Sequence, residues 1–159
     1  MATFAYLRVS TQDQTTEQQL KQIIDAGHVV DDVHVYTEQG VSGKVPALQR
    51  EQFRRLYDQL LKGANNTLIV VKLDRLGRDT LDVIATIEEL TRRGVTVVVL
   101  GLGTLDQSPQ SKLTLTMLAA ISQFEREMIS ERTKAKLAQL KADGVKLGRP
   151  VKSDDEALK

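Results

Sequence analysis

At 159 residues, with 41% hydrophobic and 27% charged side chains, the chain is long enough to bury one core and has an ordinary globular balance. It has no cysteine, two histidines (His28 and His34), no Trp and only 4% aromatics, which excludes disulfides, thiolate metal sites and a cysteine nucleophile and argues against a metal site or an aromatic base-stacking platform. The net charge of +1 conceals an asymmetry: residues 1–125 carry 13 basic against 15 acidic side chains, residues 126–152 carry 8 against 3, and the last seven carry one against three.

The basic stretch late in the chain is a candidate nucleic-acid contact, although a solvated helix face would carry the same charges. The opening segment lacks the basic leader and long apolar run of a signal peptide. No run approaches membrane-spanning length, so no membrane partner is expected and the setting reads as cytoplasmic.

In chain order, residues 3–9 are β-branched and aromatic and predict a strand. Residues 14–26 have helical spacing at Leu20, Ile23 and Ile24 and stop at Gly27. Residues 33–36 predict a short strand. Residues 39–46, with Gly40, Ser42, Gly43 and Pro46, predict a mobile loop. Residues 47–62 predict a helix with Leu48, Phe53, Leu56, Leu60 and Leu61 on a broad face. Residues 67–73 form a continuous apolar run of the kind buried on both sides of a parallel sheet. A helix over 79–93 and a buried strand over 95–100 follow. This alternation predicts a three-layer α/β/α fold around a mainly parallel or mixed sheet.

Residues 111–142 hold no Gly or Pro, and Leu113, Met117, Leu118, Ile121, Phe124, Met128 and Ile129 make an apolar stripe. Lysines take over after Arg132. A helix of this length spans roughly 45–50 Å at 1.5 Å per residue and is expected to extend past the domain that precedes it. Two uses fit: packing along its own domain with a basic frayed end, or dimerisation with the basic end on a phosphate backbone. The expected organisation is thus an α/β domain over 1–110, a long helix over 111–143 and a linker over 144–159.

Sites in open α/β sheets form at the carboxyl ends of strands. The first strand runs into Arg8-Val9-Ser10-Thr11, and the third into Lys72-Leu73-Asp74-Arg75-Leu76-Gly77-Arg78-Asp79. Such a site would combine a serine hydroxyl, an aspartate and several guanidiniums. Arginine forks match phosphate oxygens, but Asp74 and Asp79 could equally pair with these arginines and leave no excess charge. There is no phosphate-cradling Gly-x-x-x-x-Gly-Lys run, no Gly-x-Ser-x-Gly elbow, and no histidine placed to serve as a base. A serine among arginines suits attack on phosphorus better than attack on a carbonyl.

These segments resemble the serine recombinases of the resolvase/invertase type. Tyr6-Leu7-Arg8-Val9-Ser10-Thr11-Gln12-Asp13-Gln14 is similar to that family's first signature and the Lys72–Asp79 segment to its second. Gly40-Val41-Ser42-Gly43 followed by Arg50 resembles its mobile arginine loop. Phe124-Glu125-Arg126 and Glu131-Arg132-Thr133 resemble its long helix, and Gly148-Arg149-Pro150 its linker. The resemblance covers about 150 residues in order.

It implies site-specific strand exchange on double-stranded DNA, with Ser10 forming a 5′-phosphoserine intermediate and with no ATP, metal or other cofactor. Arg8, Arg50, Arg75 and Arg78 would hold the scissile phosphate. Asp74 would orient an arginine or handle a proton. Gln14 and Gln19 would support the nucleophile region, and Arg126 would reach the site from the long helix. Arg132, Lys134, Lys136, Lys141, Lys146 and Arg149 would contact DNA. Homodimers assembling into tetramers are implied. The sequence departs from the family at Gln59, where resolvases often carry a lysine. It also stops at Lys159, where the family continues into a helix-turn-helix domain that reads the major groove. The target sequence, and the choice among resolution, inversion and integration, are not written in this chain.

Overall fold

The computed structural model describes residues 1–9, 15–63 and 65–145. Its elements are β1 (Thr3–Val9), α1 (Thr16–Asp25), β2 (Val35–Gln39), α2 (Glu51–Leu60), β3 (Thr67–Val70), α3 (Thr80–Arg92), β4 (Thr96–Val99), β5 (Gly103–Leu105) and α4 (Pro109–Ala142). Single 3₁₀ turns stand at Asp32–His34, Ala47–Gln49 and Leu73–Arg75. The strands form one sheet in the order β2-β1-β3-β4-β5. The first four are parallel and β5 is antiparallel to β4, so the sheet is mixed.

Strand side chains alternate between faces, and β1 supplies both cores. Phe4 and Tyr6 join Leu68, Val70, Val97 and Val99 in a cluster with Phe53, Leu56 and Leu60 of α2 and Ile87 and Leu90 of α3. Ala5 and Leu7 join Ile69 and Val71 in a second cluster with Ile23 and Leu20 of α1. The sheet is thus covered on both faces. That explains the uninterrupted apolar runs in β1 and β3 and completes the expected three-layer α/β/α architecture.

Several boundaries differ from the sequence expectation for physical reasons. The apolar run after residue 66 ends as a strand at Val70, because Leu73 and Leu76 reach the core from a 3₁₀ turn instead. The predicted helix over 47–62 is broken at Arg50, which is extended (φ −85°, ψ 134°) and caps α2. The short strand predicted at 33–36 runs Val35–Gln39, since Asp32–His34 turns and Val33 is exposed. β5 was not expected from its glycine-rich sequence, and Leu105 is its one buried residue. α4 starts two residues earlier than expected. Ser108 Oγ accepts from the Ser111 amide at 3.2 Å, and Pro109 occupies the first helical position.

The chain divides into two units, Met1–Ser122 and Gln123–Lys159. The α/β unit therefore includes the first turns of α4 rather than ending at 110. There Leu115 is buried, and Leu118 and Ala119 pack on the core, whereas Leu113, Met117 and Ile121 are exposed. The predicted single stripe is thus two faces. Leu115, which the stripe omitted, is the inward anchor. Among the described residues no helix is long and apolar enough to cross a membrane.

Gly77 shows how closely the turn after β3 fits α3. A Cβ at this position would stand 2.6 Å from the Val83 amide nitrogen and 2.8 Å from Val83 Cγ2. Neither atom can yield without moving the first turn of α3. Gly77→Ala is expected to destabilise the fold by about 1–3 kcal/mol through overpacking, measured as a lower midpoint in urea denaturation followed by circular dichroism.

Candidate active site

Because β1 lies between β2 and β3, its carboxyl end converges with the segments that leave β2 and β3. Sheets of this kind place ligands at such a reversal of strand order. Gly40 starts the loop after β2 by donating its amide to the Val9 carbonyl at 3.2 Å.

Three buried arginines join these segments. Arg50 is 1% exposed. Its Nε donates to the Val45 carbonyl at 2.9 Å, Nη2 to Val45 at 2.7 Å and Gly77 at 3.1 Å, and Nη1 to Arg75 at 2.6 Å. Arg75 Nη1 donates to the Arg8 carbonyl at 2.8 Å, and Gln19 Nε2 donates to the same carbonyl at 3.0 Å. Arg8 Nη1 in turn donates to the Val41 carbonyl at 2.9 Å. Each guanidinium holds a backbone segment far from it in sequence, and most of its partners are dipoles rather than charges.

Asp74 is the carboxylate nearest this group. Its Oδ1 stands 3.5 Å from Arg75 Nε and its Oδ2 4.0 Å from Arg8 Nη2, yet its side chain remains 59% exposed. Arg8 Nε is buried with no hydrogen-bond acceptor among the described residues. Burial lowers the proton affinity of Arg8. The charges of Arg75 and then Arg50 push the same way, and Asp74 opposes them. The group stays cationic, as arginines do, but in a place that favours an added anion.

Beneath the arginines, the Tyr6 hydroxyl is pushed up to about 12, chiefly by burial. It donates to Glu38 Oε2 at 3.4 Å. The same oxygen accepts the Gln52 and Phe53 amides at 3.1 and 3.3 Å. Glu38 thus caps α2 from the end of β2, a task the Arg50 side chain does not perform. This frees Arg50 to face the loop. Nothing local in the sequence marks Glu38 for that role.

Arg78 is partly exposed, with Nε 3.4 Å from Asp79 Oδ2. Asp79 Oδ1 accepts the Asp82 amide at 3.0 Å and so also caps α3. Arg8, Lys44, Asp74 and Arg78 border a cleft of about 510 Å³ whose wall includes Ser42 and Gly43. Asp74 and Asp79 stand beside Arg8 and Arg78, but with Lys44 on the cleft and Arg50 and Arg75 buried behind it the cations outnumber these two carboxylates. Lys44 was not picked out from the sequence. The signal available was a lysine in a glycine-rich loop beyond a strand end.

Of the residues expected in the site, the fold brings together Arg8, Gln19, Arg50, Asp74, Arg75 and Arg78. Ser10, Gln14, Lys146 and Arg149 lie outside the described residues. Arg126, Arg132, Lys134, Lys136 and Lys141 are exposed on the part of α4 belonging to the second unit. Gln59 is exposed on α2.

A family model described as the resolvase N-terminal domain matches residues 3–146. The chain is 40% identical over 154 residues to the transposon Tn2501 resolvase of Escherichia coli, covering 96% of this chain and 78% of that protein. It is 38% identical over 154 residues to the serine recombinase PinR of Escherichia coli strain K12, covering 96% and 77%. Among solved structures, the N-terminal catalytic domain of TP901-1 integrase superposes with a TM-score of 0.61 at 31% identity, covering 80% of this chain and 98% of that one.

The bonding of Arg50 makes it a structural clamp as well as a charge. Arg50→Ala would leave the carbonyls of Val45, Arg75 and Gly77 without that donor, at an expected cost of about 3 kcal/mol. Urea denaturation would measure the loss. Limited proteolysis is expected to show new cleavage between residues 40 and 46.

Proposed function

This chain belongs to the resolvase family and is a site-specific serine recombinase acting on DNA, and we propose that Ser10 is its nucleophile. The observation that carries this reading is the excess of guanidinium charge at the carboxyl ends of β1 and β3. Ser10 directly follows β1 in the chain.

The Ser10 oxygen attacks the phosphorus of the scissile phosphodiester. The bond from phosphorus to the 3′ oxygen breaks, and that oxygen leaves with a proton as a free 3′-hydroxyl. The 5′-phosphate remains esterified to Ser10. Rejoining is the reverse attack by a 3′-hydroxyl, so one phosphoester replaces another and no ATP is consumed. Arg8, Arg75 and Arg78 neutralise the non-bridging oxygens as charge builds on them. Asp74, standing between Arg75 Nε and Arg8 Nη2, orients both. Gln19 fixes the Arg8 carbonyl, and Gln14 and Gln19 support the nucleophile region. Arg50 acts mainly by holding the loop after β2 against the turn after β3. The guanidiniums supply the positive charge that bound metal ions supply in many nucleases.

The outward apolar residues Leu113, Met117 and Ile121 recur every four positions on α4, the spacing of a seam for a second helix. A homodimer forms through this face and pairs into a tetramer for strand exchange. Arg132, Lys134, Lys136 and Lys141, with Lys146 and Arg149 in the linker over 144–159, lie on backbone phosphates of double-stranded DNA. The reaction takes place in the cytoplasm.

Ser10→Ala is expected to fold and bind DNA normally while forming no covalent protein–DNA adduct. The check is denaturing gel electrophoresis after incubation with a supercoiled plasmid carrying the cognate site. A Ser10→Ala protein that still forms the adduct refutes the assignment. EDTA is expected to leave the wild-type rate unchanged. Replacing Met117 and Ile121 together by aspartate is expected to weaken self-association at least tenfold in sedimentation equilibrium, with the circular dichroism spectrum retained.

A further inference from the structure

Arg8 and Arg78 border the cleft with carboxylates close by, Asp74 at 4.0 Å and Asp79 at 3.4 Å. Lys44 borders the same cleft and, among the described residues, makes no ion pair and no side-chain hydrogen bond. Its backbone is nevertheless held on both sides. Arg50 takes the Val45 carbonyl at 2.7 Å and reaches the Gly43 carbonyl at 3.4 Å. Arg8 takes the Val41 carbonyl. The Lys44 amide donates to Ser42 Oγ at 3.3 Å, and the Val45 amide to the Ser42 carbonyl at 3.1 Å. Gly43 permits the approach: a Cβ there would meet Arg8 Nη2 at 3.2 Å.

The loop is thus built to a fixed shape by two buried arginines and ends in a cation that the protein itself does not satisfy. A lysine serving only solubility has no need of such a mount. One with an ordered backbone loses less freedom when its ammonium group meets an anion. A buried guanidinium nitrogen without an acceptor, Arg8 Nε, belongs to the same wall.

We propose that Lys44 is a substrate-contacting residue whose ammonium group pairs with a non-bridging phosphate oxygen of the DNA strand entering this cleft. The assignment rests on the reading of the cleft as the recombination site. It adds to that reading a cation from the loop after β2. Arg8 and Arg78 border the cleft from the end of β1 and the turn after β3, and Lys44 borders it from the loop after β2.

The test needs no cognate site. The 159-residue chain is titrated with inorganic phosphate at constant ionic strength and followed by ¹H–¹⁵N correlation spectra. Saturable shifts are expected at the Gly43 and Gly77 amides. Lys44→Ala should weaken the fitted Kd by about five- to tenfold, as for loss of one charge-assisted contact. Lys44→Arg should stay within about threefold of wild type, since the charge remains. Thermal stability should be unchanged in both, because Lys44 has no partner to lose.

On plasmid DNA, Lys44→Ala is expected to slow adduct formation about tenfold and to reduce the salt exponent of the rate by about 0.9, the value of one lost phosphate contact. Absence of saturable phosphate shifts, or an unaltered Kd in Lys44→Ala, overturns the proposal. Ser10→Ala separates the two claims. Adduct formation by that variant would remove the recombination chemistry assigned to the cleft, whereas the phosphate titration would still judge Lys44 alone.

Discussion

The site depends on guanidinium groups donating to backbone carbonyls. Arg50 holds residues 45, 75 and 77, Arg75 holds residue 8, and Arg8 holds residue 41. Arginine suits this because its planar fork offers five donors in fixed directions and stays charged when buried. Each bond lets one strand end locate another. The loop after β2, the end of β1 and the turn after β3 therefore form one rigid rim rather than three independent segments.

The same arrangement creates an electrostatic imbalance. Several guanidiniums share a small space with two nearby carboxylates, Asp74 and Asp79, both largely solvated. Carbonyl dipoles offset part of the cost of burying the cations but do not neutralise them. The remainder is met by whatever anion enters the cleft. In the proposed reaction that anion is a phosphodiester, whose charge would rise in the transition state with the arginines already in place. Preorganisation of this kind spares the reaction the cost of reorienting solvent. The side chains that shape the rim are thus the same ones that carry its positive charge.

The fold supports this with two devices away from the cleft. Glu38 caps α2 from the neighbouring strand and leaves Arg50 to the loop. Gly77 lets the turn after β3 lie directly on the first turn of α3. In the α/β unit the long helix places Leu115 inward and Leu113, Met117 and Ile121 outward. Its first turns thus have two apolar faces, one spent on the core and one left for another surface.

Much of this was legible in the amino-acid order. Runs such as Thr3–Val9 and the apolar stretch from Thr67 specify buried strands because alternation and β-branching act between adjacent residues. Helices ended near Gly27, Gly63 and Gly94. The arginine-rich motifs at two strand ends marked side chains that the fold does bring together. Local pattern could not tell that Leu73 and Leu76 enter the core from a turn, that Leu115 points inward, or that Gly103–Leu105 adds an antiparallel edge. Nor could it show that Arg75 donates to residue 8, 67 positions away, that Glu38 caps a helix, or that Lys44 borders the cleft. Periodicity and capping are settled within one or two turns of the chain. The partners of a buried guanidinium are settled only when the sheet closes and brings carbonyls from distant strands within about 3 Å.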